Sequence, residues 1–85
     1  MIYPKLTEVQ PLEGFRLLLT FDGDERRIYD FSPNLSHKYY LPLSDRRLFA
    51  KVAVVNGEIE WATGQDFCPH TLYEDSLKIS EVYVE

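Results

Sequence analysis

The dipeptide Asn56-Gly57, set between Val52-Ala53-Val54-Val55 and Glu58-Ile59-Glu60-Trp61, constrains the fold of this chain more than any other feature. Asn-Gly accepts the positive φ angles of a two-residue type I′ turn, so the flanking segments predict a β-hairpin. The turn fixes the register: Val55 faces Glu58, Val54 Ile59, Ala53 Glu60 and Val52 Trp61. Val52, Val54, Ile59 and Trp61 then share one face, while Ala53, Val55, Glu58 and Glu60 share the other, the pattern of a sheet covered on one side. The four apolar side chains contribute roughly 6–12 kcal/mol gross if buried, so Trp61 is assigned to the core and not to a ligand pocket.

Eighty-five residues predict a single domain over residues 1–85. Trp61, six Tyr and five Phe supply enough ring area for a packed core without disulfide or metal staples. Fourteen acidic against nine basic residues give a net charge of −5, which repels phosphate backbones and disfavours nucleic-acid binding by this domain alone. Arg26-Arg27 and Arg46-Arg47 are where a local basic patch could start, although paired arginines usually belong to a solvated surface. Cys68 stands alone, excluding an internal disulfide and four-cysteine zinc sites. The first residues lack a signal-peptide pattern and no apolar run approaches the roughly 18 residues of a membrane span, so a cytoplasmic protein is expected.

Residues 5–10, bracketed by Pro4 and Pro11, read as a short edge strand. Phe15, Leu17, Leu19 and Phe21 alternate as a strand. The return runs over residues 26–31, with Tyr29 and Phe31 alternating around Asp30. A three-residue loop around Gly23 is expected, with Leu19 opposite Tyr29 and Leu17 opposite Phe31. Residues 32–43 read as loop or a single turn. Asp45 or Ser44 caps about one helical turn ending near Phe49, and Pro69 opens a second short helix, with Asp66 placed to cap it. Residues 75–85 read as a terminal strand or an arm that orders on a partner.

The succession Val9-Gln10-Pro11-Leu12, Leu17-x-Leu19-x-Phe21-x-Gly23, Arg27-x-Tyr29-Asp30-Phe31, Phe49-x-x-Val52-x-Val54, Gly57-x-Ile59-x-Trp61, Gly64-x-Asp66, Pro69 and Leu72-Tyr73-Glu74 resembles the bacterial domain-of-unknown-function family 2442. The resemblance covers residues 9–74. It implies a small cytoplasmic α+β domain without known catalytic residues, found alone or ahead of a helix-turn-helix module that these 85 residues do not contain. It also implies a gene neighbourhood like that of a toxin–antitoxin pair, and so an interaction role. Cys68 and His70 depart from the acidic or small polar residues commoner in the family, which weakens any reading of this loop as an anion-repelling or cation-binding site throughout the family.

Asp66, Cys68 and His70 place three ligand types within five residues, but with His37 the only other imidazole they fall short of a metal signature, and no metal or cofactor is expected. Cys68 as a nucleophile would need an oriented base, so a half-buried inert thiol is expected. His37-Lys38-Tyr39-Tyr40 reads either as a stacking loop or, preferably, as tyrosines folded onto the core. Leu18, Ile28, Ala53 and Val55 are expected on one partly uncovered sheet face, and such apolar surface commonly marks a partner site.

The chain therefore reads as an α+β domain: a small antiparallel sheet of four to five strands with one or two short helices. Its expected role is a non-enzymatic protein-interaction module, regulatory or antitoxin-like, acting on a protein partner or on itself. The residues assigned to partner binding are Leu18, Ile28, Tyr39, Tyr40, Arg46, Arg47, Val55 and Asp66. Two alternatives stand: a small enzyme or ligand-binding domain using Asp30, Asp66 and His70, and an accessory to DNA recognition through Arg26, Arg27, Arg46 and Arg47.

Overall fold

A computed structural model describes residues 4–79 of the 85. The α+β class is as the sequence indicates, with the strands divided between two antiparallel sheets. The first contains β1 (Leu6–Leu12), β2 (Arg16–Phe21), β3 (Glu25–Asp30) and β7 (Leu77–Lys78) in the order β1-β2-β3-β7. The second contains β4 (Val52–Val55), β5 (Glu58–Trp61) and β6 (Asp66–Phe67) in sequential order. The helices are α1 (Arg46–Phe49) and α2 (Pro69–Asp75), and short 3₁₀ turns occupy Ser32–Ser36 and Leu41–Ser44.

The β4–β5 hairpin has the register its turn dictates, Val52 with Trp61 through Val55 with Glu58. Asn56 and Gly57 lie at φ 54° and 81°, as a type I′ turn requires. β1 is an edge strand whose register slips between Leu6 and Glu8, leaving Thr7 to donate from its hydroxyl to the Thr20 carbonyl. Bulges and prolines of this kind keep an edge from pairing with other chains.

The β2–β3 loop is three residues long, but Leu17 pairs with Tyr29 and Leu19 with Arg27, two positions from the expected register. A shift of two preserves the faces, so Leu17, Leu19, Phe21 and Tyr29 are buried together. Phe31 lies just beyond β3, its amide held by the Phe15 carbonyl at 2.9 Å. There it becomes the hub of the core, with ring centroids 5.0 Å from Trp61, 5.2 Å from Tyr40, 5.4 Å from Phe67 and 5.9 Å from Phe49.

Asp45 caps α1, accepting the Arg47 amide at 2.9 Å, and Phe49 is the residue that anchors this turn in the core. Asp66 does not cap α2: it lies in β6, and the residue at the cap position is Cys68. Pro69, with no amide to satisfy, starts that helix, which buries Leu72 and sets Tyr73 edge-on to Phe21 at 5.0 Å. Arg27 then fastens the helix end to β3. Its guanidinium donates to the Ser76 hydroxyl at 2.7 Å, to the Ser76 carbonyl at 2.9 Å and to Glu25 at 2.8 Å, and lies 4.3 Å over the Tyr73 ring. The next residues pair with β3 as Leu77 with Ile28 and Lys78 with Arg27, and the Ile79 amide donates to Arg26. The tail therefore begins as a strand, and residues 80–85 lie outside the described residues.

Candidate functional site

Side chains alternate across a strand, so the first sheet turns every second residue away from the core. Its registers align Gln10, Leu18, Ile28 and Leu77 in one row across all four strands. Leu18 and Ile28 are half-buried by their neighbours, whereas Leu77 is 77% exposed. Rows of mixed polarity flank them. One contains Leu12, Arg16 and Asp30, and the other contains Glu8, Thr20 and Arg26. A depression of about 190 Å³ opens on this side, lined by Glu8, Val9, Gln10, Leu18, Thr20 and Arg26. The helix α2 lies against the core side of this sheet, where Leu72 is buried and Tyr73 meets Phe21.

The second sheet has a different outer surface. Val55 is 43% exposed, and Glu58, Glu60 and Asp66 surround it, with Asp66 paired to Glu60 across β5 and β6. These residues line a cleft of about 240 Å³ together with Asn56 and Ile59. Leu18 and Ile28 thus lie on one sheet and Ala53 and Val55 on the other, and the single apolar face expected of these four does not form. The tertiary division into two sheets, invisible to strand periodicity, separates them.

The remaining sequence-assigned residues are dispersed. Tyr40 folds onto the core and its hydroxyl donates to the Asp66 carbonyl at 2.9 Å, while Tyr39 remains 48% exposed. Arg46 lies 5.3 Å over the Phe15 ring, and Arg47 projects into solvent 3.7 Å from Asp45. Arg26 is on the outer face of the first sheet and Arg27 is enclosed by Glu25, Ser76 and Tyr73, so the four arginines make no continuous stripe. Leu77 belongs to the apolar row but escaped the residue assignment. Its pairing with Ile28, 49 positions away, has no local signal in the sequence.

The titratable groups serve local structure. Asp30 accepts the Ser32 amide at 3.0 Å and its hydroxyl at 2.7 Å, and His70 pairs with Glu74 at 3.0 Å along α2. Desolvation raises the Glu25 pKa, but hydrogen bonds from Arg27 and Tyr73 and the charges of Lys78 and Arg27 outweigh it and hold the carboxyl below its ordinary range. Cys68 is exposed, not half-buried. A bond from the Thr71 backbone favours its thiolate most, and with the Thr71 side chain and His70 backbone it brings the pKa down despite burial and the Glu58 charge. Among the described residues no group of three or more His, Cys, Asp or Glu side chains is arranged to hold a metal ion, and no helix is long and apolar enough to cross a membrane.

Residues 6–77 match the family model described as "Protein of unknown function (DUF2442)". No curated protein and no solved structure matches the chain.

Proposed function

The chain belongs to the DUF2442 family, and from that premise we propose that it is a protein-interaction module of regulatory role, working without catalysis through the outer face of its first sheet. The observation that carries this reading is the row of Leu18, Ile28 and Leu77, which runs side by side across three strands on the face turned away from the core and ends in a Leu77 that is 77% exposed. Burying apolar side chains on a partner stabilises association, and contiguous patches of this kind mark contact surfaces. Further support comes from the polar groups: Glu25, Arg27, Asp30, Asp45 and His70 are engaged in caps, turns and ion pairs that hold the fold together.

The test is capture of partners by the full chain and by an L18E/I28E variant, which alters the outer face while leaving Leu17, Leu19 and Tyr29 in place. A protein recovered at stoichiometric yield with the wild-type chain and lost with the variant is the expected result. Equal capture by both, or a small molecule retained through purification with no protein partner, overturns the proposal.

A further inference from the structure

The outer face of the first sheet is complementary to itself, and we propose that it seats the same face of a second copy of this chain in a two-fold dimer. This rests on the reading of that face as the working surface and names its occupant.

The pairing registers supply the argument. A two-fold axis lying in the interface along the middle row places Gln10, Leu18, Ile28 and Leu77 against their own counterparts and exchanges the flanking rows. Asp30 then faces Arg26 of the second copy and Arg26 faces its Asp30, so opposite charges meet twice. Arg16 meets the neutral Thr20, and no like charges are opposed. The depression of about 190 Å³ lined by Glu8, Gln10, Leu18, Thr20 and Arg26 then lies opposite the row of Leu12, Arg16 and Asp30 of the other sheet. An axis parallel to the strands also joins opposite charges twice, Arg16 with Asp30, but it sets the exposed Leu77 against Gln10, whereas the axis along the row sets Leu77 against Leu77. Two sheets packed in this way form an aligned sandwich, with the row interdigitating across a layer about 10 Å thick.

Four strands about 4.8 Å apart and three rows about 6.8 Å apart give a footprint of roughly 20 by 20 Å. That is at the small end for specific association, and it makes the dimer a weak, concentration-dependent one.

Sedimentation equilibrium of the full chain from micromolar to millimolar concentration tests the proposal, with circular dichroism confirming that each variant keeps its β structure. The wild-type mass should rise from one chain toward two, and L18E/I28E should remain a monomer. R26D and D30R should each weaken the dimer at least tenfold, since each opposes like charges across the axis. Mixed in equal amounts, these two variants restore opposite charges at both positions and should recover the dimer, which a folding defect cannot mimic. A wild-type chain that stays monomeric at millimolar concentration overturns the proposal, as does a mixture that stays monomeric while the wild type dimerises. If the wild type is monomeric yet L18E/I28E loses a captured protein, the second copy is refuted and the interaction reading stands.

Discussion

Trp61 joins the two halves of the core by packing on Phe31 and Phe49 and by donating its indole N–H to the Phe49 carbonyl at 2.9 Å in a buried site. Trp61→Ala should cost about 3–5 kcal/mol in urea unfolding. Trp61→Phe keeps a ring but orphans that carbonyl, and should cost about 1–3 kcal/mol. Glu25 gives the fold an acid limit. Its pKa is depressed in the folded chain, so its contribution is present above the ordinary carboxylate range and is lost as pH falls through the folded value. Glu25→Gln should lower stability at neutral pH and flatten the acid limb of a stability–pH profile. The alkaline limit has the opposite sign. Burial raises Tyr29 and Tyr40, aided by neighbouring Asp75 and Asp30 at Tyr29 and by Tyr39, Asp66 and Tyr29 at Tyr40, so their contribution is present below about pH 10 and fades above it. Absorbance titration of tyrosinate alongside thermal unfolding measures this limb.

At the scale of elements, local chemistry made much of the structure legible. Asn56-Gly57 determined a turn and four cross-strand pairs, Asp45 a cap and Pro69 a helix start. Gly57→Ala tests the first of these. An added Cβ would meet Lys5 only at ordinary contact distance, 3.5 Å, so the cost comes from the φ of 81° and should be about 1–2 kcal/mol by thermal unfolding. What escaped sequence reading depends on partners distant in the chain. The β2–β3 register is ambiguous in the sequence because matching Leu17 to Phe31 and matching it to Tyr29 bury the same face. The discriminating contacts are those that draw Phe31 beyond the strand into the ring cluster. Asp66 has the local signature of a cap, a carboxylate ahead of a proline, whereas pairing with Glu60 commits it to β6.

Over the whole molecule, the two sheets share one core: Leu17, Leu19 and Phe21 from the first are buried in the same cluster as Ile59 and Trp61 from the second. They should unfold together. Fluorescence of Trp61 and far-ultraviolet circular dichroism should give coincident urea transitions, and separate midpoints would show that the sheets melt independently. The candidate surface was only half legible at this scale, because alternation identified Leu18 and Ile28 as outward but could not assign Val55 to a different sheet or bring Leu77 beside them. The acidic exterior around Glu58, Glu60 and Asp66 has a consequence for copy number. In the proposed two-fold pair the working face is used up by its own counterpart, and the like charge around Glu58, Glu60 and Asp66 opposes any further contact between copies through that surface, which favours a closed pair over a fibre.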